Sequence, residues 1–257
     1  MWTILAWAYV LSIIGFLYVP LLPPLLLSLS PDEGGVTLRT YLELWHNPIL
    51  VASMKTSLLL AILTGMLTPP LALLAAMGVR EMRRASRGLL LLMLLPLFIP
   101  GVTMGLASAL FFRVLGIEPS LWTITIVHVL WALPFAFLII LTAMATFDPL
   151  YLEAAYALGA SRIRAFLDVE LPLIRPGLMG AAMFSVILSI NETIRTSLVQ
   201  GPLNTVPTYI WSTYLQVGLS PTLYALMSLI ILLTFGLLML ALLLGEKKLQ
   251  SSEALTP

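Results

Sequence analysis

The segment EAAYALGASRIRAFLDVELP, Glu153 to Pro172, is the one long polar interruption between apolar stretches that also carries an ordered pattern of its own. Asp148-Pro149 opens it, a side-chain acceptor for a helix N-terminus followed by proline at the first helical position, where the missing N–H costs nothing. A short helix is predicted from Leu150 to Leu158. Gly159 ends it, because glycine reaches the left-handed conformation of a helix C-terminus at little cost, and Ser161 then caps a second helix over Arg162 to Asp168. In that second helix Ile163, Phe166 and Leu167 share one face at i, i+3, i+4, so one side calls for an apolar groove. Pro172 disfavours helical geometry at Leu171 and marks the start of the next element.

Outside this segment the chain is mostly hydrocarbon. Its 257 residues are 60% hydrophobic and only 10% charged, with a mean hydropathy of +1.04. A soluble domain carries about 25% charged residues, so the chain is predicted to be an all-α polytopic membrane protein with a single transmembrane domain over residues 1–257. Six apolar stretches are each long enough for a bilayer core, which needs about 20 helical residues. They run near Ile4–Leu29, Val51–Val79, Gly88–Phe112, Leu121–Thr146, Leu173–Val199 and Thr222–Leu244. The first, without a basic run before it or a cleavage site after it, reads as a retained helix, kinked by Pro20, Pro23 and Pro24. Asp32 to Pro48 reads as an extracytoplasmic segment with a short interfacial helix around Thr40–Trp45. Pro96, Pro100, Gly101 and Gly105 in the third stretch, and Pro134 in the fourth, suit packed interior helices.

Orientation follows from the basic residues. Arg80, Arg83, Arg84 and Arg87 fall within eight residues between the second and third stretches, a topology signal that places this loop in the cytoplasm. Counting on, the 148–172 loop and the 246–257 tail lie on the same side with both termini, as do nine of the thirteen Lys and Arg. The tail is expected to be loosely ordered.

Several chemistries are excluded. There are no cysteines and only two histidines, so disulfides, thiolate nucleophiles and Cys- or His-rich metal sites are ruled out. His128 reads as a hydrogen-bonded packing residue. No phosphate-binding loop, nucleophile elbow or zinc-protease motif occurs, which leaves no catalytic residue and no nucleotide site of the chain's own. A net charge of +1 argues against nucleic acid as a partner. The other informative cluster is Ser189-Ile190-Asn191-Glu192-Thr193-Ile194-Arg195-Thr196-Ser197 in the fifth stretch. Ionisable groups in a membrane helix are costly and mark a paired or water-filled site. Ser189, Glu192 or Thr193, and Thr196 recur at helical spacing, and with Asn191 they form a candidate translocation stripe. The alternative is a Glu192–Arg195 pair that only holds the helix.

Glu153-Ala154-Ala155, three residues, Gly159, nine residues, then Val169-Glu170-Leu171-Pro172 resembles the EAA loop of the membrane subunits of binding-protein-dependent ABC importers, with Val169 where isoleucine is usual. The region from Ser189 through Gly201-Pro202, Pro207, Tyr209 and Gly218-Leu219-Ser220-Pro221 resembles spermidine/putrescine-type permeases, which more often carry two acids where this chain has Asn191-Glu192. The resemblance implies a type I ABC importer permease fold in the cell inner membrane. It implies as partners cytoplasmic ATP-binding subunits that hold ATP and Mg, a second permease subunit and an extracytoplasmic solute-binding protein. It also implies docking on the ATPase through Glu153, Ala154, Ala155, Gly159, Ile163, Phe166, Leu171 and Pro172, and transport of a small solute such as a polyamine or related compound. Two other readings are a secondary transporter, which would need more midplane acids and symmetric broken helices, and a non-transporting scaffold, which would need no polar stripe.

Overall fold

The computed structural model describes residues 2–29, 35–82 and 84–253, with the side chains of residues 4, 241, 242 and 244–253 left aside. Asp32, Arg83 and the Lys247 and Lys248 side chains therefore lie outside the described residues. In hydrocarbon a backbone N–H or C=O has no water to bond, so a chain this apolar must form helices that satisfy their own backbones. Every regular element among the described residues is a helix. They are α1 (Trp2–Tyr18), which passes through a 3₁₀ turn (Val19–Leu21) into α2 (Leu22–Leu27), then α3 (Arg39–Leu44), α4 (Pro48–Glu81), α5 (Ser86–Leu94), α6 (Gly101–Val114), α7 (Leu121–Ala145), α8 (Leu150–Ala157), α9 (Arg162–Ala165), α10 (Leu171–Ile190), α11 (Ile194–Val199), α12 (Val206–Val217) and α13 (Pro221–Glu253). Five helical segments are long and apolar enough to cross a membrane, and a sixth arises when α5 and α6 count as one broken span.

Local chemistry sets the boundaries. Asn47 caps α4 by accepting from the Ile49 and Leu50 N–H groups at 3.1 and 3.2 Å, with Pro48 at the first helical position. Ser120 caps α7 reciprocally with Thr123. The expected interfacial helix is α3, with Trp45 exposed just after it.

Helices α4, α7 and α10 pack on one another as the centre of the bundle. Their contact surfaces are built of small side chains, with Ala72, Ala76, Ala136 and Ala181 fully buried beside Phe137, Ile140 and Ile174. Without a hydrophobic drive between helices in lipid, close backbone approach supplies the attraction, and small residues allow it. A Cβ on Gly177 would lie 2.3 Å from the Ala143 Cβ, and one on Gly65 would lie 2.6 Å from Val186 Cγ2.

Four expectations are corrected. The third stretch is not one straight helix: after a 3₁₀ turn (Leu95–Phe98), α6 leaves at 104° to α5. Pro100, extended at ψ 139°, turns the chain there, and Gly101 and Gly105 pack α6 against Arg195 and Leu198. The fifth stretch breaks between α10 and α11. Pro172 does not end a helix: Leu171 is helical, and α9 runs on into α10 through a π-helical turn (Phe166–Glu170) closed by the Leu171 N–H on the Phe166 carbonyl. The wider turn leaves room for the proline ring that an α-helical turn would drive into the carbonyl four residues back. The last helix also runs on to Glu253, beyond Gly245, where the sequence suggested a loose tail.

Because Gly177 faces the Ala143 Cβ, which is fixed to its helix and cannot swing aside, Gly177→Val is expected to destabilise the bundle by about 2 kcal/mol or more through overpacking. Thermal unfolding of the purified protein in detergent checks this, with a lowered midpoint as the expected result.

Candidate functional site

Two places combine polar groups with interrupted helix. The first is the elbow formed by α8, Gly159 to Ser161 and α9. Asp148 Oδ1 accepts from the Leu150 N–H at 2.9 Å, as the sequence led us to expect, and α8 follows. Gly159 sits at φ +85°. Its N–H donates to the Tyr156 carbonyl at 2.9 Å and the Ala160 N–H to the Ala155 carbonyl at 3.0 Å, the paired bonds that close a helix with a left-handed residue. Ser161 Oγ accepts from the Arg164 N–H at 3.4 Å and starts α9.

The elbow projects apolar side chains outward. Leu158 is 90% exposed and Ile163 72%, with Leu150 and Tyr151 also exposed. Glu153 and Ala154 share this exposure, while Ala155 and Leu171 are half-buried and Pro172 is exposed. The three-residue apolar face expected on the second helix is split. Ile163 and Leu167 face out, but Phe166 is half-buried and lines a cavity of about 490 Å³ together with Leu152, Tyr156, Met77 and Met144. The π-helical turn after Ala165 rotates the following side chains out of the register that an unbroken α-helix would give.

Sequence reasoning missed the pair at the base of this cavity. Glu170 is 1% exposed, and both its oxygens meet the Arg80 guanidinium, Oε2 at 3.3 Å from Nη2 and Oε1 in closer contact with Nη1. The one available signal was an acid inside the apolar run Val169 to Leu173; its partner lies 90 residues away.

The second place is the break at Asn191 to Thr193. Glu192 accepts the Arg195 N–H on Oε1 at 2.9 Å and the Arg195 Nη1 on Oε2 at 2.7 Å. The carboxylate thus takes a backbone donor that a continuous helix would have given to a carbonyl, and α11 starts afresh. The expected stripe along one helix is therefore not formed. Arg195 is itself buried, with its guanidinium 3.8 Å from the centroid of the Trp131 ring and Nε 3.3 Å from Met104 Sδ.

His128 on α7 spans the break. Nδ1 lies 2.7 Å from Ser189 Oγ on α10, and Nε2 lies 2.7 Å from Thr196 Oγ1 on α11. Thr64 Oγ1 donates to Ser189 at 3.4 Å, and Thr196 donates to the Glu192 carbonyl at 3.2 Å. With those two donors committed, one self-consistent order runs Thr64 to Ser189 to His128 Nδ1, and His128 Nε2–H to Thr196 to the Glu192 carbonyl, an uncharged imidazole with both nitrogens used. Of the five stripe residues, Ser189, Glu192 and Thr196 are thus buried and mutually engaged. Asn191 and Thr193 point away from them and line a separate cavity of about 270 Å³ with Pro207, Trp211 and Tyr214. Among the described residues no group of three acids, cysteines or histidines could hold a metal ion.

Comparison with known proteins agrees with this architecture. Residues 68–245 match the family model described as "Binding-protein-dependent transport system inner membrane component". The chain is 25% identical over 250 residues to the spermidine/putrescine transport system permease protein PotC of Escherichia coli K12, covering 93% of each chain. It is 28% identical over 241 residues to the putrescine transport system permease protein PotI of the same organism, covering 88% of this chain and 85% of that one. Among solved structures, a bacterial ABC transporter involved in the import of the acidic polysaccharide alginate superposes with a TM-score of 0.71 at 17% identity over 95% of both chains. The MetNI methionine transporter gives 0.62 at 19% identity, over 79% of this chain and 95% of that one. At these identities the structural likeness speaks for the fold.

Replacing His128 with leucine would leave the Ser189 and Thr196 hydroxyls buried without a partner across the break. The expected cost is about 2–3 kcal/mol, with glutamine, which keeps a donor and an acceptor, costing less. Denaturant unfolding of the purified variants measures both.

Proposed function

We infer the function from the premise that this chain belongs to the family of binding-protein-dependent transport system inner membrane components, multi-pass proteins of the inner membrane. It is the permease subunit of an ABC importer and forms a path for a small solute delivered by an extracytoplasmic binding protein. ATP and Mg are bound and hydrolysed by separate cytoplasmic subunits, and a second permease subunit completes the path. The observation that carries this reading is the elbow. A two-helix projection with Leu158 and Ile163 largely exposed and an exposed acid, Glu153, on its first helix has the makeup of a helix-in-groove contact. The apolar side chains supply affinity and Glu153 sets orientation against a basic groove rim. Gly159, Ala154 and Ala155 shape the turn, and Leu171 and Pro172 begin the rod that passes movement into the membrane. Arg162 and Arg164 lie on the elbow and Arg80 reaches Glu170 at its base, basic residues that support a cytoplasmic position for this end and, with it, for both termini.

The solute proposed is a polyamine or related compound. The support is the likeness to PotC and PotI. Within this chain the Glu192 carboxylate is already engaged by Arg195, so a polycation would meet Asn191, Thr193 and the aromatic faces of Trp211 and Tyr214, while Ser189, Glu192 and Thr196 hold the broken helix that positions them.

Glu153→Lys reverses the orienting charge, and Gly159→Pro forbids the left-handed turn that φ +85° requires. Both are expected to insert into the membrane at normal levels and to lower uptake of labelled putrescine or spermidine by about a hundredfold, a loss of roughly 3 kcal/mol of docking energy. Uptake assays on cells expressing each variant with its partner subunits test this, and undiminished uptake by both would refute the docking role.

A further inference from the structure

Glu170 sits in the stretch that joins the outward-facing elbow to α10, yet it is 1% exposed. Arg80, in the last turn of α4, holds both carboxylate oxygens and also has Glu81 Oε1 3.9 Å away. Two parallel bonds from a guanidinium fix direction as well as distance. A buried carboxylate parted from its partner is strongly disfavoured, so the end of α4 is bound to follow the base of the elbow.

The surroundings make that tie consequential. The cavity of about 490 Å³ separates Leu152, Tyr156 and Phe166 of the elbow from Met77 on α4 and Met144 and Phe147 at the end of α7. Apolar walls with open space between them transmit little push, and the ion pair bridges that space. The elbow is already continuous with α10 through the π-helical turn whose last residue is Glu170. Deeper in the membrane α4 and α10 meet again, where Gly65 lies against Val186 and Thr64 donates to Ser189 beside the break. Relative sliding of the two helices would shear those contacts.

We infer that Arg80 and Glu170 form a clasp that makes α4 move with the elbow in step with α10, so that movement of the elbow reaches the break at Asn191 to Thr193 along two helices together. This rests on the elbow acting as the lever of the proposed function. Arg80 and Glu170 are positioning residues: they touch no solute and act through the helices they join.

The chain has no cysteine, so Met82→Cys at the end of α4 and Arg164→Cys on α9 give a unique pair for spin labelling. Pulsed electron-spin distance measurements are made on the complex that co-purifies with the chain, reconstituted in phospholipid nanodiscs, first without nucleotide and then with ATP and vanadate. The labelled but otherwise unaltered protein is expected to give one narrow distance, the same in both states. Adding Glu170→Gln is expected to broaden the distribution about twofold or more, because the paired bonds from the Arg80 guanidinium to the carboxylate are lost. The Arg80→Glu, Glu170→Arg double variant is expected to narrow it again. A Glu170→Gln distribution as narrow as that of the unaltered protein, or a swap that stays broad, would overturn the clasp. A second label pair, from Arg164→Cys to Glu118→Cys on the opposite side of the bundle, reads the lever itself. If that distance ignores nucleotide, the proposed function is in difficulty, while the first pair still decides the clasp.

Discussion

A backbone inside hydrocarbon has no water to fall back on, and this one constraint accounts for most of what is polar in the molecule. Where the fifth membrane stretch is interrupted, side chains arrive to satisfy what the interruption frees. At Asn191 to Thr193 the Glu192 carboxylate takes the Arg195 N–H, Asn191 Nδ2 donates to the Ile187 carbonyl at 2.8 Å, and His128 ties the two halves together through Ser189 and Thr196. Arg195 then needs its own shelter and finds it in Glu192, Trp131 and Met104. A cluster that looks like a solute path in one dimension is, in large part, the support of a broken helix. In the proposed function the path falls to Asn191 and Thr193, which line the cavity beside the break.

Outside the apolar bundle the constraint is reversed. The elbow holds its own backbone by caps and a left-handed glycine, so its side chains are free to serve another purpose, and several of the largest are bare leucine and isoleucine. Exposed apolar surface on a protruding element marks a partner. Rigid continuity through the π-helical turn into α10, and the ion pair to α4, connect that partner surface with the interior. In the proposed function these two connections carry movement of the elbow toward the break.

Much of this was legible in the sequence where the deciding interactions are local. The caps at Asp148 and Ser161 and the turn at Gly159 involve neighbours a few residues away, and the spans follow from hydropathy, so helix order and the elbow could be read directly. Pro96, Pro100 and Gly101 announced an interruption in the third stretch, but not a bend of 104°. The break in the fifth stretch was hidden because Ser189, Glu192 and Thr196 keep helical spacing. Whether Glu192 bonds along the helix or caps a new one depends on Arg195 being drawn toward Trp131 and Met104 from other helices. The Arg80–Glu170 pair was hidden for the same reason. In the sequence Arg80 is one of four arginines that suffice as a topology signal, and only the packing of α4 beside α10 singles it out.

The central claim is that the exposed face of the elbow rests in a groove of a nucleotide-hydrolysing subunit. A photo-reactive benzoylphenylalanine placed at Ile163 in membranes containing the whole transporter tests it most directly. Irradiation should join this chain to an ATP-binding subunit, with a yield that changes when ATP is added. Absence of any such adduct, together with labelling of an Ile163→Cys variant by a membrane-impermeant thiol reagent from the outer face, would contradict the account.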